Sequence, residues 1–100
     1  MTSAADWIDL SGKVAHVTGG GKGIGRGIST ALAMAGAKVM VSDINLQSAQ
    51  ETADEIGGSA MALDVADRDA VDAALNNTVS ALGALDILCL LYTSPSPRDS

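Results

Sequence analysis

Thr18-Gly19-Gly20-Gly21-Lys22-Gly23-Ile24-Gly25 joins two segments of different period. Before it, Lys13 to Val17 is a short apolar run of strand type; after it, Arg26 to Ala35 repeats its apolar residues at helical spacing. The glycines therefore occupy a strand-to-helix turn. Residues without a Cβ take positive φ and let a ligand approach the backbone, and the helix N-terminus behind them offers unpaired N–H groups to an anion. The expected ligand is a phosphate. A flexible linker would not be flanked by an apolar strand and an amphipathic helix, so glycine content alone does not explain this stretch.

Spacing separates the phosphate loops that share this look. The mononucleotide loop needs Gly-Lys followed by Ser or Thr, whereas Lys22 is followed by Gly23. The common dinucleotide fingerprint G-x-G-x-x-G fails in every register: Gly19/Gly21, for one, would need its last glycine at Ile24, and Gly21/Gly23 at Arg26. What remains is T-G-x-x-x-G-I-G, carried by Thr18, Gly19, Gly23, Ile24 and Gly25. This spacing resembles the nicotinamide-cofactor loop of the short-chain dehydrogenase/reductase family. The resemblance implies that Gly19, Gly21, Lys22, Gly23, Ile24 and Gly25 line a dinucleotide.

One hundred residues make at most one small domain, and the 47% apolar content excludes a disordered chain. The net charge of −6 argues against nucleic acid, whose phosphates would be repelled. Met1 to Leu10 carries Asp6 and Asp9 without a basic residue or an apolar core, unlike a secretory signal, and no apolar run reaches membrane-spanning length. A cytoplasmic location without membrane association is the expectation. His16 is the lone histidine and lies in an apolar strand; it is read as a core residue, and no metal site is assigned.

The first strand is expected over Lys13 to Thr18 and the first helix over Gly23 to Ala35, with Ile24, Ile28, Leu32 and Ala35 inward and Gly36 as its stop. Close packing against the strand would explain Gly27 inside that helix. Lys38 to Asp43 reads as the second strand, ending in an acid. In a dinucleotide-binding βαβ unit such an acid accepts hydrogen bonds from the adenosine ribose, so Asp43 is assigned to that role and to favouring NAD over NADP. Lys22 is the contrary cue, since it resembles a loop cation of NADP-dependent members. A carboxylate against a 2′-phosphate leaves two anions in contact, while an exposed lysine gains only about 0.2–1 kcal/mol, so Asp43 prevails. The plainer role for Asp43 is to begin the following turn.

Asn45 is expected to cap a helix over Leu46 to Ile56, with Leu46, Ala49, Ala53 and Ile56 inward, and Gly57-Gly58 to end it. Ser59 to Leu63 is the third strand. At its end Asp64 and Val65 match the Asp and small apolar residue that contact adenine in the resembling family. Asp67 caps a third helix to about Leu82, with Val71, Leu75, Val79 and Leu82 inward. Leu85 to Leu88 opens a fourth strand, similar to the family's L-D-x-L-V-N-N-A-G.

After Leu88 the pattern breaks off into Cys89-Leu90-Leu91-Tyr92-Thr93-Ser94-Pro95-Ser96-Pro97-Arg98-Asp99-Ser100, which holds the only cysteine, the only tyrosine and both prolines. A strand in mid-sheet should not run into a Ser/Pro tract. This peptide back-translates to DNA that resembles a transposase-type sequencing adapter. Residues 1–88 are therefore read as the cofactor-binding module and 89–100 as a non-native tail. Tyr92 cannot be the family's catalytic tyrosine, because the lysine required four residues later is replaced by Ser96. No catalytic residue is assigned.

The expected fold is α/β: the N-terminal half of a Rossmann-like, doubly wound parallel sheet, βαβαβαβ, with strand order 3-2-1-4. The resemblance implies an oxidoreductase that moves hydride between NAD(H) and a small alcohol or ketone, homo-oligomeric in its complete form. The alternatives are a non-catalytic dinucleotide-binding module or an inactive truncated fragment. A long sequencing read through the Leu88 codon is expected to reveal Asn-Asn-Ala-Gly, a serine and Tyr-x-x-x-Lys in frame. A genomic Cys89 to Ser100 followed by a stop codon contradicts the adapter reading.

Overall fold

Five consecutive buried residues, Val14–Thr18, form β1, the strand around which the sheet is laid out. The computed structural model describes residues 9–21 and 23–91. After β1 come α1 (Gly23–Met34), β2 (Lys38–Asp43), α2 (Leu46–Ile56), β3 (Ser59–Ala62), α3 (Arg68–Leu82) and β4 (Ile87–Cys89). The four strands are parallel in the order β3-β2-β1-β4, as the sequence implied. This is one half of a Rossmann-like sheet. The boundary expected after Leu88 falls inside β4, which runs on to Cys89, and Tyr92 to Ser100 lie outside the described residues.

Alternation along β1 and β2 gives the sheet two unlike faces. Val17, Val39 and Val41 form a core cluster with Ala49 and Ala53 of α2, flanked by Ile28 and Leu32 of α1. His16 and Ser42 turn the other way, toward α3. Two helices therefore cover the valine face, and α3 lies over the other, where His16 and Ser42 alternate with the buried Val14 and Met40.

The helix ends follow their caps. The Asn45 side chain accepts the Ser48 N–H and that of Asp67 accepts the Ala70 N–H, while Gly57 and Gly83 close the two helices with N–H bonds to Ala53 and Val79 carbonyls. Strand β4 starts two residues later than expected. Just before it, Asp86 clamps β1 in both directions: its N–H donates to the Val14 carbonyl and its carboxylate accepts the Val14 N–H, each at 2.8 Å.

The inward faces of the helices match the expected stripes in part: Ala49 and Ala53 are core, and Ile28, Leu32 and Ile56 pack against it. Ile24 (77% exposed), Leu46 (49%) and Val79 (45%) point to solvent, and the buried helix residues are Gly25 and Ser29, then Ala49, Thr52 and Ala53, then Ala74 and Thr78. Helices this close to a sheet seat their smallest residues against it, and the larger apolar side chains splay to the flanks. Gly27 is exposed, and a Cβ at that position would meet nothing within 4 Å, so strand packing does not explain it.

His16 is a core residue, as expected, and its hydrogen bonds assign its tautomer. Thr78 Oγ1 donates to the Ala74 carbonyl, so at 2.7 Å from His16 it accepts the Nδ1 proton. Nε2 is then bare and accepts from the Ser42 hydroxyl at 2.9 Å, a shorter contact than the 3.4 Å from that hydroxyl to the Val17 carbonyl. Burial lowers the His16 pKa from its ordinary 6.5. A folded-state value below the unfolded one means that the unfolded chain binds the extra proton first, so stability rises with pH across that interval. The contribution is complete above pH 6.5 and is lost as pH falls below it. Urea titrations are expected to show a slope of up to about 1.4 kcal/mol per pH unit below that point. His16→Gln should flatten it, and an unchanged slope would refute the neutral-histidine assignment.

Candidate functional site

Among the described residues, those assigned to cofactor binding sit at the carboxyl edge of the sheet. Thr18 pairs with Ser42 and Asp43 with Ala62, so the ends of β1, β2 and β3 bring the glycine loop, Asp43 and Asp64 to one edge. Open α/β sheets bind ligands at this edge.

The loop path is built from glycine for two separate reasons. Gly19 and Gly23 have φ of 64° and 63°, a left-handed backbone that side chains oppose. Gly25 has an ordinary backbone but no room: a Cβ there would lie 2.1 Å from the Gly19 carbonyl oxygen. Helix α1 is thus seated directly on the turn that precedes it. Gly20, which sequence reasoning passed over, is equally confined, since its Cβ would come 2.8 Å from Val41 Cγ1. Its N–H donates to the Ser42 carbonyl at 2.9 Å.

Gly21 is anchored on both sides of its backbone. Its N–H donates to Asp43 Oδ2 at 3.0 Å, and its carbonyl accepts from Thr52 Oγ1 at 3.2 Å. It fixes the loop's course. Lys22 lies outside the described residues. Gly23 and Ile24 are exposed, and nothing lies within 4 Å of a Cβ on Gly23, so the loop is open at the start of α1. The first turn of α1 carries no acidic residue, leaving its unpaired N–H groups free of a local anion. These features fit a phosphate.

Asp43 is 4% exposed and holds two backbone N–H groups, Gly21 on Oδ2 and Asn45 on Oδ1, the latter at 3.0 Å. The plainer role of beginning the next turn is therefore real and coexists with a bond to the loop. An ionised carboxylate has about four acceptor positions, so two remain. Asp64 is exposed, with Oδ1 accepting the Ala66 N–H at 2.9 Å in a side-chain turn, and Val65 is half-buried. Thr18, read only as part of the motif, accepts the Leu91 N–H at 2.7 Å and ties the loop to the chain leaving β4. Arg26 pairs with Glu55 across α1 and α2, a partly exposed contact worth at most about 1 kcal/mol.

The family model of short chain dehydrogenases matches residues 13–90. The sorbitol dehydrogenase of Cereibacter sphaeroides is 43% identical over 81 residues, which cover 79% of this chain and 32% of that protein. The 7alpha-hydroxysteroid dehydrogenase of Escherichia coli K12 is 43% identical over 89 residues, 84% of this chain and 35% of that one. Among solved structures, the 3-ketoacyl-(acyl-carrier-protein) reductase of Brucella melitensis complexed with NADH is 40% identical with a TM-score of 0.76, over 80% of this chain and 34% of that one. The chain spans about a third of the length of the curated relatives it matches.

Two glycines in α1 should respond oppositely to the same substitution. Gly25→Ala drives a methyl into the Gly19 carbonyl and is expected to cost about 1–3 kcal/mol in urea titration. Gly27→Ala meets nothing and removes a helix-interior glycine, for a gain of about 0.5–1 kcal/mol. Effects of the same sign would contradict the packing described for Gly25.

Proposed function

The chain belongs to the short chain dehydrogenase family, and from that membership we propose that it is the NAD-binding portion of an oxidoreductase acting on an alcohol or ketone. The observation that carries the reading is an acid at the end of β2 in direct contact with the glycine loop, Asp43 Oδ2 to the Gly21 N–H. The family binds a nicotinamide dinucleotide; the choice of NAD over NADP is our inference from Asp43.

In this reading the pyrophosphate lies against the N-terminus of α1, at Gly23, Ile24 and Gly25, with the loop's shape set by Gly19 and Gly21 and its charge supplemented by Lys22. The two free acceptor positions of Asp43 receive the adenosine ribose hydroxyls, and the same negative charge opposes a 2′-phosphate. Asp64 and Val65 take the adenine, the acid receiving the exocyclic amine. NAD, when bound, supplies the hydride-accepting ring. The chain's own residues bind and orient it; the proton-transferring serine, tyrosine and lysine are assigned to the remainder of a longer, homo-oligomeric, cytoplasmic protein. The relatives' names, a sorbitol, a hydroxysteroid and a cyclohexanol dehydrogenase among them, have an alcohol group in common, which supports an alcohol or ketone substrate and nothing narrower.

Calorimetric titration of the chain with NAD and with NADP is expected to favour NAD. Asp43→Ala should weaken NAD binding by about tenfold or more, the scale of a hydrogen bond to a charged group, and bring the two cofactors closer together. A ratio that does not move rejects the Asp43 assignment.

A further inference from the structure

Thr52 is completely buried on the inner face of α2, and its hydroxyl behaves unlike those of Ser29, Thr30 and Thr78. Ser29, Thr30 and Thr78 each donate to the carbonyl four residues earlier in their own helix, the usual outlet for a helical hydroxyl. Thr52 instead crosses to the glycine loop and donates to the Gly21 carbonyl at 3.2 Å. A hydroxyl that leaves its own helix to reach a loop carbonyl holds two elements in register.

The same glycine is held from its other side. Asp43 accepts the Gly21 N–H, and a Cβ on Gly21 would come 2.6 Å from Ser48 Cβ and 2.8 Å from Asp43 Oδ2. Gly21 therefore sits in a slot made by the end of β2 and one face of α2, with both of its polar backbone groups satisfied there. Two residues further along, the chain enters α1 at an open glycine. The position of that helix start depends on where Gly21 is fixed.

We propose that Thr52 is a positioning residue for the cofactor loop: from α2 it locks the Gly21 peptide, so that the N–H groups at the start of α1 are already aimed when the dinucleotide arrives. The inference rests on the NAD-binding reading given above. Preorganisation raises affinity by removing the ordering cost from the binding step. The residue touches no ligand in this role; it acts through Gly21.

The test uses Thr52→Val, which keeps shape and removes the hydroxyl, with Thr52→Ser as the rescue. The cofactor-free chain is followed by amide hydrogen exchange at Gly21, and NAD binding by calorimetry. Faster Gly21 exchange in the valine variant, NAD binding weakened about two- to tenfold, as for one lost hydrogen bond, and recovery of both in the serine variant are the expected results. Unchanged Gly21 exchange, or exchange that serine fails to recover, overturns the lock. If the native chain binds neither NAD nor NADP, the cofactor reading fails, and the positioning role falls with it even where exchange shows the lock. Should Thr52→Val not fold, Thr52→Ala against Thr52→Ser is decisive: equal exchange at Gly21 in the two overturns the proposal.

Discussion

The 2.1 Å that separates the Gly19 carbonyl oxygen from where a Gly25 Cβ would stand is the constraint on which the rest of the structure depends. A helix cannot approach the end of its preceding strand this closely unless the contact is backbone against backbone. Once it does, the turn between them must double back through left-handed residues, which places Gly19 and Gly23. The helix axis also comes so near the sheet that Ser29, one turn on, is fully buried. The glycine loop and the inner layer of the fold are thus consequences of one close approach.

The same closeness explains which features the sequence revealed. Strand and helix existence, the 3-2-1-4 order, the caps at Asn45 and Asp67 and the glycine stops were legible, because each depends on local chemistry or on a rule of connection. The inward faces of the helices were less so. Periodicity placed Ala49 and Ala53 correctly, but it also turned Ile24, Leu46 and Val79 inward, and it passed over Gly25 and Ala74, with Ser29, Thr52 and Thr78 beside them. A hydrophobicity pattern gives such residues little weight. The candidate site divides the same way: the glycines and the strand-end acids stood out by spacing, whereas Gly20 and Thr52 matter through contacts that only the folded chain creates.

The two faces of the sheet also settle the meaning of the lone histidine. An imidazole in the middle of the central strand would be costly on the apolar face, where Val17, Val39 and Val41 pack. Its neighbours on the other face are Ser42 and Thr78, which supply a hydroxyl to each ring nitrogen. Histidine is here a bridge between two strands and a helix, held neutral by burial.

Asp43 joins two duties in one carboxylate, and this bears on how the protein could be redesigned. Its oxygens hold the Gly21 and Asn45 N–H groups, and the ribose contact proposed for it would be made by the same carboxylate. Replacing the acid to admit a phosphorylated cofactor would therefore strip the loop of its acceptor at the same stroke. Removing that charge is a two-site problem: one substitution for the acid, and a second acceptor, reaching in from α2 or the β2 turn, to give Gly21 back its partner. A single substitution at this position would leave the loop loosened, whatever it did to the charge.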